Sequence, residues 1–193
     1  MTKTRHGNVI LALAALAGLA NGAQAGDAPA LVPDADGVLF AIGTEDKRRD
    51  EFKKSDWTGI SQHACTVGID CDVGTFPTRL VADYAARFYS DNTVQRAVVI
   101  FNLAEAQSNL MLVVARFGIE TSVVRIDDKE PIIVTHEMMD PPSAEDVWGR
   151  FELPLGAVSA GMHQIEFSVL NEKAGTGRHS LDSITLLSVG ADS

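Results

Sequence analysis

The segment His163-Gln164-Ile165-Glu166-Phe167-Ser168-Val169-Leu170 decides the fold. Ile165, Phe167 and Val169 fall on one side of an extended chain, and Gln164, Glu166 and Ser168 on the other. A period of two with one apolar face is the mark of a β-strand laid against a core. The same pattern recurs on both sides of it. Thr121 to Ile126 alternates, and Val147 to Leu155 carries Trp148, Phe151, Leu153 and Leu155 as its apolar members. Trp148, at the start of that strand, is expected in the core. Val38-Leu39-Phe40-Ala41-Ile42 is a short apolar run stopped by Gly43. Val94 to Leu103, Asn109 to Phe117, Pro131 to Thr135 and Leu181 to Val189 complete the set. Asp127-Asp128-Lys129-Glu130 between two of the strands suits a hairpin turn. Leu80, Tyr84 and Phe88 recur at helical spacing, so a helical turn or two is expected over Leu80 to Tyr89. Short strands, regular spacing and no long amphipathic helix predict an all-β, antiparallel jelly-roll β-sandwich.

Composition narrows the function. The chain has 193 residues, of which 46% are hydrophobic, so there is material for one sizeable core. Sixteen basic residues stand against 26 acidic ones, a net charge of −10. That balance excludes nucleic-acid binding of the usual kind, which displaces phosphate counterions with Lys and Arg. The N-terminus reads as a secretory signal over 1–25: Lys3, Arg5 and His6, then an apolar run from Val9 to Ala20, then Ala23-Gln24-Ala25. The apolar run falls short of the ~20 residues that span a bilayer. Cleavage after Ala25 removes two basic residues and no acid, which takes the net charge to −12. A secreted or periplasmic product is expected, with a flexible leader over 26–36 and one sandwich domain over 37–190. Outside the cytoplasm the even pair Cys65 and Cys71 favours a disulfide. Free thiols are the alternative. A metal site is the poorest reading, since only His63 is adjacent.

Three segments carry a family likeness. Ile42-Gly43-Thr44-Glu45-Asp46, followed by Glu51-Phe52, resembles the I-G-x-x-D…E-F opening of the carbohydrate-binding-like domain of rhamnogalacturonan lyases. Thr66-Val67-Gly68 leading to Phe76-Pro77, then Ala97 to Leu103, is similar to the stretch that follows there. Trp148, then Gly161-Met162-His163-Gln164-Ile165, then Leu181-Asp182-Ser183-Ile184 resembles the closing strands of galactose-binding-like jelly rolls. Asp127-Asp128-Lys129 stands where such domains commonly carry an Asn-Gly turn. The resemblance implies a sandwich that binds polysaccharide, with a structural calcium held by acids near the first strand and in the L-D-x-I strand. Glu45, Asp46 and Asp182 are the matching positions. Calcium takes oxygen ligands, several of them carboxylate.

Sugar recognition needs an aromatic plane beside polar groups, because a pyranose has one apolar face. Trp57, set between charged residues and Thr58-Gly59, Trp148, Tyr84 and Tyr89 are the candidate platforms, with core the better reading for Trp148. The basic island around Arg48 and Arg49 offers bidentate contacts to uronate carboxylates. A core or incidental Trp57 and a solvated loop over 47–54 are the plainer alternatives. His136 and Met138 would share a strand face, a donor pair suited to copper. Signatures of catalysis are missing: there is no Gly-x-Ser-x-Gly elbow, no His-Glu-x-x-His and no phosphate-binding Gly loop. The expectation is a non-catalytic carbohydrate-binding module. The alternatives are an envelope or secreted protein-interaction sandwich, and a stand-alone lyase or hydrolase.

Overall fold

The computed structural model describes residues 28–46, 62–69, 71, 79–81, 96–118, 121–140, 148–170 and 178–190. They form two β-sheets. The strands are β1 (Ala30–Leu31), β2 (Val38–Gly43), β3 (Gln62–Thr66), β4 (Arg79–Val81), β5 (Arg96–Leu103), β6 (Gln107–Phe117), β7 (Thr121–Ile126), β8 (Ile132–Val134), β9 (Trp148–Val158), β10 (Gly161–Leu170) and β11 (Arg178–Ser188). Sheet A runs β1-β5-β10-β7-β8, with β3 also on β5. Sheet B runs β2-β11-β6-β9, with β4 also on β11.

The opening segment sits where the alternation puts it. β10 lies between β5 and β7, with Ile165 opposite Val99 and Ile126, and Phe167 opposite Ala97 and Val124. All six of these side chains are buried. Sheet B answers with Leu110, Leu112 and Val114 of β6, Phe151, Leu153 and Leu155 of β9, and Ile184 and Leu186 of β11. Phe40 of sheet B and Phe101 of sheet A meet at 5.7 Å between ring centres, tying the two layers. Burying such side chains contributes about 1.5–3 kcal/mol each before chain entropy is subtracted.

Four expectations are revised. The sandwich is not wholly antiparallel, because β1 and β3 both join β5 in parallel. The stretch expected as a leader contributes β1, Ala28 is buried, and its carbonyl accepts a bond from Asn102 Nδ2 at 3.0 Å. Asp34 then closes a turn, its Oδ1 accepting from the N–H of Asp36 and Val38. Leu80 belongs to β4 rather than to a helix. There it pairs with His179, and a ladder to β11 outweighs a three-residue helical spacing. Finally, His136 and Met138 lie in a one-turn 3-10 helix, His136–Met138. With three residues per turn, i and i+2 point apart, so they do not share a face.

Candidate functional site

The outer side of sheet B carries the aromatic surface. On β6 the core takes Leu110, Leu112 and Val114, which turns Val113, Ala115 and Phe117 to the other side. Opposite them on β9 stand Glu152, Arg150 and Trp148. Phe117 and Trp148 are direct cross-strand partners, with ring centres 5.2 Å apart and planes inclined by 59°. Trp148 is therefore half-buried on the outer face, not in the core as its position at the head of an apolar strand implied. It is three residues from Phe151, and an odd step in a strand changes face.

Charged groups adjoin this pair. Arg150 Nη2 donates to Glu152 Oε1 at 2.5 Å, and Nη1 lies 3.7 Å from Glu45 Oε2. All three side chains are more than one-third exposed, so the pairings orient the groups and add little stability. The Arg150 backbone exchanges two hydrogen bonds with Asp140. Gly149 makes that approach possible: a Cβ there would meet Met139 Cε at 3.0 Å and the Asp140 carbonyl at 3.4 Å. The Trp148 indole thus lies two residues along β9 from a guanidinium that contacts two carboxylates, Glu45 and Glu152.

A second constellation locks the end of the sandwich. Asp127, in the turn between β7 and β8, has φ +49°, a left-handed conformation that Asp tolerates better than most side chains. Its Oδ1 accepts the Gln164 N–H at 2.9 Å and its Oδ2 lies 2.8 Å from His163 Nδ1. His163 Nε2 lies 2.9 Å from the Ser159 carbonyl. The imidazole is 8% exposed and packs on Phe101 at 5.6 Å. One ring thereby ties the β7–β8 turn to the β9–β10 turn. Nearby, Ala106, Gln107, Ser108, Ala157, Val158 and Ser159 line an open pocket of about 390 Å³. Its walls hold no charged or aromatic side chain.

The remaining expected site residues divide into two groups. Trp57, Tyr89, Arg48 and Arg49 lie outside the described residues, as does Tyr84. Glu45 and Asp46 are exposed just past β2. Asp182 is 1% exposed, at the point where β11 slips register against β6 between Leu181 and Ser183. Among the described residues no three of His, Cys, Asp and Glu gather into a metal-binding group. Among the described residues Glu45, Asp46 and Asp182 are thus not gathered into one such group, and Glu45 faces Arg150. Cys65 and Cys71 form a disulfide with Cα atoms 4.7 Å apart. Glu137 has its carboxyl held below the usual carboxylate range, first by a Thr135 side-chain hydrogen bond, then by its own backbone N–H and by His136.

Arg116 was not singled out by the sequence. It lies at an inward position of β6, fully buried, and its Nη1 donates to the Gly118 carbonyl at 2.5 Å. It stands opposite Leu181, beside the register slip at Asp182. The signal was a lone cation inside the apolar run from Asn109 to Phe117. A lone charge in such a run also fits a strand edge, so the run alone does not distinguish the two.

No family model and no curated protein matches the chain. Solved structures do match, at low identity. A Podospora anserina GH26-CBM35 β-(1,4)-mannanase aligns at TM-score 0.38 and 17% identity over 61% of this chain and 26% of that one. A Listeria monocytogenes EGD-e protein in complex with α-D-glucose, β-D-glucose, magnesium and calcium aligns at 0.36 and 19% over 60% of this chain and 11% of that one. CBM35 from Paenibacillus barcinonensis aligns at 0.32 and 14%, covering 60% and 92%. The chain thus spans about a quarter and a tenth of the length of the first two. Among the described residues no helix is long and apolar enough to cross a membrane.

Proposed function

We propose that this chain is a non-catalytic carbohydrate-binding module, exported by the segment 1–25, that recognises a cell-wall-type polysaccharide. The observation that carries the reading is the Phe117–Trp148 pair on the outer face of sheet B, set beside Arg150, Glu45 and Glu152. A pyranose ring stacks its apolar face on such a plane while charged side chains take its hydroxyls. The likeness of Ile42 to Asp46 to the carbohydrate-binding-like domain of rhamnogalacturonan lyases, and of Gly161 to Ile165 to galactose-binding-like jelly rolls, supports it. Trp57, Tyr89, Arg48 and Arg49 remain proposed contributors.

The test is affinity gel electrophoresis of the full chain across plant and algal polysaccharides. Retardation by at least one is expected. Trp148→Ala should weaken it about tenfold, the equivalent of a stacking contact worth about 1.4 kcal/mol. Because Trp148 also packs on Phe117, the melting temperature of the variant is read beside its mobility. Absence of binding to every polysaccharide sinks the reading.

One observation favours a second reading, a protein-interaction sandwich. β8 is the last strand of the sheet A path, and Ile133 on it is 53% exposed, with Met138 just beyond at 46%. Exposed apolar side chains beside a strand edge suit a protein partner. Pull-down from culture fractions with wild-type chain and Ile133→Lys separates the two.

A further inference from the structure

The outer side of sheet A bears a charge cluster that the sheet B surface does not use. With Ile165 and Phe167 in the core, Glu166 points to the other side of β10. Arg125 is its direct partner on β7, and Arg96 of β5 reaches it on the diagonal from the position paired with Ser168. Arg96 Nη2 lies 2.6 Å from Glu166 Oε2, and Arg125 Nη2 donates to the same oxygen at 2.8 Å. Two guanidiniums share one carboxylate oxygen.

This arrangement is more than a salt bridge closing on itself. One carboxylate leaves the trio with a charge of +1, in a chain whose net charge is −10. The neighbouring outward positions are Val98, Ile100, Gln164, Ser168 and Val123, none of them charged. Glu166 is only 13% exposed, so it acts as a buried anchor that fixes two cations 33% and 37% exposed. Both Nε–H groups are buried without an acceptor. Buried donors are satisfied in the great majority of proteins, so two orphans in one cluster call for a cause. The two contacts with Glu166 hold the guanidiniums in place, while each Arg side chain stays about one-third exposed. Paired guanidiniums so held match a planar carboxylate or a sulfate through charge-assisted bonds.

We propose that Arg96, Glu166 and Arg125 form an oxyanion site on the outer face of sheet A, taking a carboxylate or sulfate ester of a sugar polymer. The polymer rests on the carbohydrate reading above, and the oxyanion does not. The test compares full-length wild type with Arg96→Gln and Arg125→Gln in gels containing polygalacturonate, a sulfated galactan or neutral galactan. An acidic polymer should retard the wild type, and each substitution should weaken that about tenfold. Added NaCl should weaken it too, as expected of a partly exposed charge site. Retardation by neutral polymer, which would come from sheet B, should not change. Which acidic polymer binds separates carboxylate from sulfate.

A readout without variants guards against misfolding. The wild-type melting temperature should rise, and the rise should saturate, with millimolar free galacturonate or millimolar sulfate at an ionic strength fixed by sodium chloride, too dilute for the general salting-out effect of sulfate, and not with galactose. A rise with one of these anions and no polysaccharide binding of any kind upholds the oxyanion site and sinks the carbohydrate reading. Equal retardation of wild type and both variants by the acidic polymers, or no anion-dependent rise, overturns the site.

Discussion

Asp127 shows how one residue does the work of a turn motif. The sequence offers Asp127-Asp128-Lys129 where an Asn-Gly pair is common, and the left-handed φ falls on Asp127 itself. Its two oxygens take a backbone N–H and an imidazole, which offsets the conformational cost. Asp127→Asn keeps an acceptor for Gln164 and should cost least. Asp127→Gly relieves the backbone but loses both bonds, and should cost more. Asp127→Ala loses the bonds and keeps the strain, at about 2 kcal/mol or above. Urea melts of the three variants give the order, and Ala milder than Gly refutes the account. This knot was half legible. The turn and the position of His163 could be read in the sequence, but not that the two meet, because 36 residues separate them. Trp148 departs from expectation for a local reason: its neighbours are apolar, but the face it takes is set by its parity with Phe151. The expected sugar contacts Trp57, Arg48 and Arg49 stand on a segment with no alternating pattern, where nothing periodic fixes a direction.

At the scale of elements, alternation was the dependable guide. β7 matches its expected span residue for residue, and β2, β5 and β6 match within two. The elements missed were short ones held by partners. β1 has two residues and β4 has three, too few for any period to show; β3, Gln62–Thr66, has five but no apolar alternation, and each exists because a longer strand offers it a ladder. The Phe117–Trp148 pair also belongs to this scale, since it joins β6 to β9 at the point where that ladder ends. A double-mutant cycle with Phe117→Ala and Trp148→Ala should give a coupling of about 1 kcal/mol in thermal or urea melts. A coupling near zero would mean that the rings touch without supporting each other, and that the plane offered to a sugar is not held rigid.

For the whole molecule, the sandwich is closed by a core that spans both sheets and by one covalent link. The Cys65–Cys71 disulfide closes a loop with a sequence separation of six. A loop so short restricts the unfolded chain modestly, so the double variant Cys65→Ala, Cys71→Ala should lose about 2 kcal/mol and still fold. Calorimetry of that variant beside the oxidised protein checks it, and failure to fold would assign the link a larger share than loop closure allows. The excess of acid over base acts on the same scale. It repels polyanions from most of the surface, which leaves the few basic clusters to decide where an acidic polymer docks.

The place of β11 has one more consequence. It is the last of the strands in chain order, yet it lies inside sheet B, hydrogen-bonded to β2 and β4 on one side and to β6 on the other. A growing chain that has already emitted β2, β4 and β6 has no template on which to align them, because none of the three pairs with another. The β6–β9 pair can form beforehand, but among the described strands β2 and β4 join sheet B only through β11, so the sheet is completed in a late step when residues 178–188 arrive. However the chain is delivered from its N-terminus onward, β2 and β4 wait for the ladder that β11 alone gives them among the described strands.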